Sequence, residues 1–411
     1  MKTLFFNIKE LLQIRDKSIS KVSGAAMKSL PSIKNAFLRI DHDQIEDFGS
    51  MKDLKDFNAD RIIDSRGQII LPAWCDSHTH IVYAGHREEE FVDRINGLSY
   101  EEIAAKGGGI LNSAKTLQDS SEQELFEQAS KRVEEIMKLG TGALEIKSGY
   151  GLTPESELKM LRVIQTLSNS FPLSIKATFL GAHAIPLKYR DNKDDYVDLI
   201  CRNMIPRIAE QKLADYVDVF CETGYFSVEQ TERILKTGKK HDLTAKIHVN
   251  QFNSIGGVQI GVKYGALSVD HLEIMTSDDI ESLKGSETMP VALPSCSFFL
   301  GIPYTPARQI IDSGLPLALA TDFNPGSTPS GNMNFVVATA CIKMNMTPEE
   351  AINAATINGA YAMGLSKSHG SITKGKMASL IITKDIPSFH FMPYAFGSNV
   401  IDKVMIKGEF I

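Results

Sequence analysis

Two histidines at the end of an apolar segment could together hold a metal ion. Residues 68–74 form an apolar run after Gly67, and Cys75-Asp76-Ser77-His78-Thr79-His80 follows it directly. Such a run predicts a buried strand, in which side chains two residues apart point the same way, so His78 and His80 project together. Neutral imidazoles are good ligands for Zn²⁺ and similar divalent ions. Two polar turn residues are the alternative interpretation of so short a motif.

The composition excludes several classes of protein. With 43% hydrophobic and 23% charged residues, the 411-residue chain is typical of soluble globular proteins. A net charge of -6 argues against a nucleic-acid binder. No apolar run approaches the ~18–20 residues that span a bilayer, and residues 1–10 lack the pattern of a signal peptide. Five scattered cysteines without a Cys-x-x-Cys pair predict reduced thiols and a cytoplasmic location.

Eight apolar strands alternate with helical stretches, which is the count of a (β/α)₈ barrel. The chemistry of such a barrel lies at the C-terminal ends of its strands, and these ends carry polar and ionisable residues here. A doubly wound open sheet would also place its site at strand ends, and it is the alternative. The predicted strands are 68–76, 142–147, 173–179, 216–222, 244–248, 266–271, 289–294 and 316–322.

The two ends of the chain differ from the barrel pattern. Residues 1–67 contain short β-like runs separated by polar turns, and the sequence becomes β-like again from Gly370. Because chain termini often lie close together, both ends can join in one flanking unit. We therefore predict a barrel domain over 68–363 and a small β-sandwich domain built from 1–67 and 364–411.

Three further residues at predicted strand ends extend the metal site. His248 ends the fifth strand and Asp322 the eighth, so they would join His78 and His80 as a first shell for Zn²⁺ or Fe²⁺. Such an ion lowers the pKa of a bound water from ~15.7 to ~7. His271 ends the sixth strand, where it could orient that water or the carbonyl oxygen of a substrate. Asp322 could take the proton of the water.

Histidines at the ends of the first, fifth and sixth predicted strands, with an aspartate at the end of the eighth, resemble the pattern of the amidohydrolase superfamily. Barrels of that superfamily carry a small β-sandwich built from both termini. The fourth strand ends without the lysine that bridges two metals in some members, so the resemblance implies one metal ion. Further motifs resemble the imidazolonepropionase family: Asp76–His80, Ala84-Gly85-His86-Arg87-Glu88, Ser99-Tyr100-x-x-Ile103, Gly107-Gly108-Gly109-Ile110, Glu145-x-Lys147-Ser148-Gly149-Tyr150-Gly151-Leu152, Phe179–His183, Asp270–Leu272 and Thr321–Gly326.

The resemblance implies a substrate, 4-imidazolone-5-propanoate, and an assembly, a homodimer. The substrate carries a propanoate group, which calls for a forked cation, and Arg87 can supply two parallel hydrogen bonds. The Tyr150 hydroxyl can donate to the same carboxylate. A surface arginine paired with Glu88 or Glu90, and a packed loop tyrosine, are the structural alternatives.

The remaining substrate contacts depend on the resemblance. His183 at the end of the third strand would contact the imidazolone ring, although a core histidine has the same pattern. Asn324, Gly326 and Ser327 would bind substrate and product, although they also fit a Pro/Gly turn. Gln251 stands where related deaminases carry a glutamate, and an amide can bind a ring nitrogen or carbonyl but cannot transfer a proton.

The prediction is therefore a cytoplasmic, metal-dependent cyclic amidohydrolase that forms N-formimino-L-glutamate in histidine degradation. Hydroxide formed on the metal would attack the ring carbonyl, Asp322 would relay the proton, and His271 would stabilise the oxyanion. A purine or pyrimidine aminohydrolase is the alternative enzyme, and Gln251 and Arg87 argue against it. A catalytically silent metal-binding scaffold is the non-enzymatic alternative, and the intact five-residue set argues against that.

Overall fold

Two eight-stranded sheets organise the protein. The computed structural model describes residues 1–98, 102 and 108–411. The motif residues Ser99, Tyr100 and Ile103, together with Gly107, lie outside the described residues. Within the described chain, no helix is both long enough and apolar enough to cross a bilayer.

One sheet is a parallel barrel in which each strand pairs with the next along the chain. The first and eighth strands meet through a bridge between Thr79 and Phe323. His80 N donates to Phe323 O at 2.8 Å and Asp322 N to His78 O at 3.0 Å, which closes the barrel. The predicted (β/α)₈ barrel is confirmed. Its strands are Trp74–Thr79, Thr141–Lys147, Ser174–Ala182, Tyr216–Cys221, Thr244–Val249, Ser268–His271, Met289–Ala292 and Ala318–Leu319.

Helices cover the outside of the barrel, and several of them begin at capping residues. Ser121 and Glu124 form a capping box, and Thr153 caps the helix that opens with Pro154. The α-helices are Glu88–Ile95, Ile110–Asp119, Glu122–Lys138, Pro154–Ser170, Lys193–Leu199, Ile205–Glu210, Val228–Lys240, Gly257–Lys263, Ser277–Leu283, Pro294–Leu300, Ala307–Asp312, Met333–Met344, Pro348–Asn353, Gly359–Ala362 and Phe391–Tyr394. Short 3₁₀ turns are Gly24–Lys28, Met51–Asp53 and Leu187–Tyr189, and π turns are Ile200–Met204 and Ala354–Asn358.

The second sheet is built from both ends of the chain, as predicted. Its strands are Lys2–Leu12, Ser32–Asp41, Gln44–Ser50, Arg61–Asp64, Gln68–Pro72, Leu380–Asp385, Ile401–Ile406 and Glu409–Phe410. It encloses an apolar core of its own, which includes Phe5, Ile8, Ile40 and Met405. This flanking unit therefore buries apolar surface independently of the barrel.

The run predicted as one barrel strand over 68–76 is two strands. Gln68–Pro72 pairs with Leu380–Asp385 in the flanking sheet, and Trp74–Thr79 opens the barrel. Both halves are buried, so the apolar pattern is continuous and periodicity cannot separate them. The domain limits of 1–67, 68–363 and 364–411 stay a prediction, and we propose that the first boundary lies at Ala73.

Gly359 offers a test of how closely the last barrel helix packs. A Cβ at this position would lie 2.4 Å from the carbonyl oxygen of Cys75 in the first barrel strand. Gly359→Ala should lower the free energy of unfolding by about 1–3 kcal/mol, because overpacking outweighs the gain in helix propensity. Urea unfolding measures this change. Gly397→Ala is the control, since its Cβ would meet nothing within 4 Å, and equal midpoints for the two variants would contradict the packing.

Candidate active site

The four predicted metal ligands converge at the C-terminal mouth of the barrel. The Nε2 atoms of His78 and His80 lie 3.3 Å apart. Asp322 Oδ1 lies 3.4 Å from His80 Nε2 and 3.6 Å from His78 Nε2. The His248 ring lies 4.4 Å from that of His78, centre to centre. All four side chains are buried.

The donor set fits a divalent cation. His78 Nδ1 lies 2.6 Å from Asp270 Oδ2, so it carries the proton and leaves a lone pair on Nε2. That lone pair faces His80 Nε2 and Asp322 Oδ1, and His248 Nε2 is buried without a hydrogen-bond partner among the described residues. Converging lone pairs without a hydrogen between them are satisfied by a cation. The predicted ligand roles rest on this fit.

Burial keeps two of the imidazoles neutral, as metal ligands must be. It holds the pKa of His78 well below its usual value. It also lowers the pKa of His248 to about 4, although Asp218 opposes the change. Burial alone would raise the pKa of Asp322, but the neighbouring histidines lower it to about 2, so this carboxylate is ionised.

Two aspartates that were not predicted as site residues lie behind the imidazoles of two predicted metal ligands. Asp270 faces His78 Nδ1, and Asp218 Oδ2 lies 3.0 Å from His248 Nδ1. A carboxylate behind a ligating histidine fixes its tautomer and the direction of its ring. The available signal was a charged residue inside an apolar strand, as in Val217-Asp218-Val219.

A lysine cluster beneath the ligands supports those aspartates. Lys147 Nζ lies 2.5 Å from Glu145 Oε1, 2.9 Å from Asp218 Oδ2 and 3.7 Å from Asp270 Oδ2. Lys246 pairs with the other oxygen of Glu145. Burial opposes the charged forms, but the opposite charges nearby outweigh it, so the pKa of Lys147 is raised and the pKa values of Asp218 and Glu145 are lowered. Lys147, Asp218 and Glu145 are therefore charged inside the barrel, where an unpaired charge would be costly.

A cavity of about 500 Å³ opens above the ligands. Its wall includes His271, whose ring lies 5.4 Å from that of His248. Burial disfavours the charged form of His271, but Glu273, Asp322 and Asp270 together raise its pKa above the usual value. The structure brings all seven predicted substrate contacts to this cavity: Arg87, Tyr150, His183, Gln251, Asn324, Gly326 and Ser327.

Arg87 turns into the cavity rather than out to solvent. Its Nε donates to Ser113 Oγ at 2.8 Å, and its nearest carboxylate oxygen, on Glu90, is 3.9 Å away. Its Nη2 is buried without a hydrogen-bond partner in the described chain, which is the state expected of an arginine that awaits an anion. A Cβ at 326 would lie 2.4 Å from Arg87 Nη1, so a side chain there would displace the guanidinium from its present position. Arg94, which the sequence analysis missed, lines the same cavity with a similarly unpartnered Nη1.

The contacts predicted for the imidazolone ring lie beside the metal ligands. His183 stacks on His80 with ring centres 5.1 Å apart and planes at 14°. Its Nδ1 lies 3.2 Å from Gly149 O, which leaves Nε2 for the cavity. Gln251 Nε2 lies 3.5 Å from Cys296 Sγ, so its amide oxygen is free to accept a hydrogen bond.

The side chain of Asn324 makes its hydrogen bonds within the loop that follows the eighth strand. Asn324 Nδ2 donates to Asp322 O and to Ser327 Oγ, both at 2.7 Å. Its Oδ1 accepts from the backbone N–H groups of Gly326 and Ser327, both at 2.8 Å. Ser327 Oγ then donates to Asp322 Oδ2 at 3.2 Å. The side chain of Asn324 therefore shapes the loop and, through Ser327, helps to position the Asp322 carboxylate.

Comparison with known proteins identifies the family of the chain. The model of the amidohydrolase family matches residues 69–411. Imidazolonepropionases of Flavobacterium johnsoniae and Christiangramia forsetii are 71% and 67% identical to the chain, and each match covers all of both chains. The chain belongs to the imidazolonepropionase family of amidohydrolases. It is accordingly a metal-dependent hydrolase.

Solved structures show the same fold at low sequence identity. A triazine hydrolase variant has a TM-score of 0.76 and 15% identity, and the match covers 100% of this chain and 94% of that chain. An adenosine deaminase from Xanthomonas campestris with bound zinc has a TM-score of 0.72 and 14% identity, over 99% and 92% of the two chains. Imidazolonepropionases thus share their barrel and flanking sheet with hydrolases of other substrates.

Asp270 offers a test of the support behind the metal ligands. Asp270→Asn keeps an acceptor oxygen near His78 Nδ1 but removes the charge that favours a donating Nδ1–H. We expect zinc affinity to fall about tenfold, as measured by competition with a chromophoric chelator. Asp215→Asn is the control, because Asp215 pairs with Lys176 at the opposite end of the barrel. An unchanged affinity in Asp270→Asn would contradict the role given to this carboxylate.

Proposed function

We propose that this site hydrolyses the cyclic amide of 4-imidazolone-5-propanoate to N-formimino-L-glutamate, the reaction of its family in histidine degradation. The observation that carries the proposal is the meeting of a divalent-metal donor set and an unpartnered, inward-turned arginine in one cavity. His78, His80, His248 and Asp322 would hold the ion. Both Zn²⁺ and Fe²⁺ accept imidazole and carboxylate ligands, and we propose either as the native metal.

Arg87 would bind the propanoate of the substrate. The unpartnered Nη2 and the adjacent Nη1 of its guanidinium can meet the two carboxylate oxygens in a forked pair. The Tyr150 hydroxyl is buried on the same wall, and burial raises its pKa, so it stays protonated and can donate. These two groups would set the distance between the anionic end of the substrate and the metal centre.

The imidazolone ring would lie between His183, Gln251 and His271. The free amide oxygen of Gln251 can accept an N–H of the ring, and His183 Nε2 faces the same space. Gly326 leaves room for Arg87 on the opposite wall. Asn324 would act on the substrate mainly through the loop that it holds, and Ser327 through its hydrogen bond to Asp322.

The chain's own residues would then move the protons. A divalent ion in the site supplies Lewis acidity, which lowers the pKa of a water molecule and polarises a carbonyl. Asp322, ionised and buried, takes a proton from the attacking water and delivers it to the ring nitrogen as the C–N bond breaks. Because Nδ1–H of His271 faces Glu273, donation to the substrate requires the ring that carries both protons, and this cationic His271 donates its Nε2–H to the carbonyl oxygen as negative charge develops there. Gln251 orients the ring and takes no part in proton transfer.

Two further proposals concern the protein as a whole. The five cysteines, at 75, 201, 221, 296 and 341, carry free thiols, which supports our placement of the enzyme in the reducing cytoplasm. We also propose a homodimer, as the resemblance to the family suggests. Size measurement in solution tests the second proposal directly.

Turnover of freshly made 4-imidazolone-5-propanoate by the purified protein tests the main proposal. Hydrolysis should stop when the metal is chelated and return with Zn²⁺ or Fe²⁺. Asp322→Asn should lose at least ~100-fold in kcat, because proton transfer contributes about that much or more. Metal content is measured for each sample, so that a lost ion and a lost proton relay are distinguished. Full metal occupancy without turnover would contradict the substrate, and screening of nucleobases for deamination would then follow.

Arg87→Met should raise KM about 30-fold with a smaller effect on kcat, because it removes hydrogen bonds to a charged group worth about 2 kcal/mol. The penalty should nearly disappear with the uncharged propanamide analogue, which we expect the wild-type enzyme to bind weakly. Arg66→Met is the matched control, since Arg66 is an exposed arginine paired with Asp64. An equal penalty with acid and amide would show that Arg87 does not bind the carboxylate.

A further inference from the structure

A buried carboxylate beside the cavity takes no part in the mechanism above. The side chain of Glu273 is 0% exposed, and its Oε1 lies 3.3 Å from His271 Nδ1. Ser297 Oγ approaches the same oxygen at 3.4 Å. Glu273 Oε2 is buried without a hydrogen-bond partner among the described residues. A carboxylate so poorly compensated is costly to bury, and His271 is its ion-pair partner in the described chain.

The backbone is bent so that these two side chains meet. His271 has φ of 90° and Leu272 has φ of 65°, which are two successive left-handed residues that are not glycine. Such conformations cost about 1–3 kcal/mol each and persist where the surroundings determine them. Thr305 Oγ1 donates to His271 O at 2.7 Å and holds the bend. At this bend the side chains no longer alternate as they do in a strand, and Glu273 lies behind the ring of His271.

The other ring nitrogen of His271 depends on this contact. Nε2 faces the cavity, whereas the side-chain amide of the neighbouring Gln251 is turned towards Cys296. An imidazole held at one nitrogen has one ring orientation and one defined role at the other. Without an acceptor at Nδ1, the ring could flip or change tautomer in place.

We infer that Glu273 is a positioning residue for His271: it accepts the Nδ1–H and so fixes the ring with Nε2 towards the reacting carbonyl. This inference rests on the proposed function of the same site. Glu273 itself touches neither the substrate nor the metal ligands. The relation is that of a third group that orients a catalytic histidine from behind.

Two substitutions separate positioning from general support of the fold. Glu273→Leu removes the acceptor, and we expect kcat to fall about 100-fold with KM changed less than threefold. Glu273→Gln keeps an acceptor oxygen, and we expect it to restore kcat to within about tenfold of wild type. Glu222→Gln is the control for neutralising a buried carboxylate near the cavity, since Glu222 accepts backbone N–H groups of Phe252 and Asn253 and does not contact His271.

Nitrogen-15 NMR of the zinc-loaded protein supplies a reading that does not depend on turnover. The Nδ1 of His271 should be protonated, with a low-field hydrogen-bonded proton that Glu273→Leu removes and Glu222→Gln leaves in place. His271→Asn identifies the signal. A wild-type His271 without a protonated Nδ1 would overturn the inference, and so would equal losses of kcat in Glu273→Leu and Glu273→Gln. If the wild type does not hydrolyse the proposed substrate, the function fails, and the NMR result alone decides the role of Glu273.

Discussion

Buried charge pairing beneath the barrel mouth is the interaction on which the site depends. Lys147 and Lys246 lie inside the barrel, and between them they form ion pairs with Glu145, Asp218 and Asp270. Removing one partner from such a cluster leaves an uncompensated buried ion, which costs about 3–5 kcal/mol. Each charge therefore fixes the position of the others. Asp270 and Asp218, held in place by these pairs, in turn face the Nδ1 atoms of His78 and His248.

The grouping of the proposed metal ligands could be predicted, because it follows from the geometry of single strands and of the barrel fold. Strand alternation places His78 beside His80, and the barrel rule brings the ends of the fifth and eighth strands to the same mouth. The supporting charges could not be paired from the sequence, because their partners lie on neighbouring strands. Lys246 stands opposite Asp218 in the register of the two strands, yet its carboxylate partner is Glu145 on a third. This pairing of Lys246 with Glu145 depends on how the strands come together in the closed barrel.

Two other features were beyond the sequence for different physical reasons. The first apolar run serves two sheets, and a strand buried on both faces has no polar residue to mark the division at Ala73. Asn324 has the polarity of a binding residue, but its donors and acceptors are used within its own loop. Residue type predicts that a side chain can bind a ligand. Whether its hydrogen-bonding groups remain available is a property of the folded loop.

The seam of the barrel has a consequence for how the enzyme would respond to metal loss. The hydrogen bonds that join the first and eighth strands belong to His78, His80, Asp322 and Phe323, so three of the four residues that close the cylinder are also proposed metal ligands. An ion that binds only the closed form stabilises it by mass action. Metal starvation would therefore loosen the enzyme as well as silence it. In a cell, the supply of a trace element would govern how long each copy survives proteolysis.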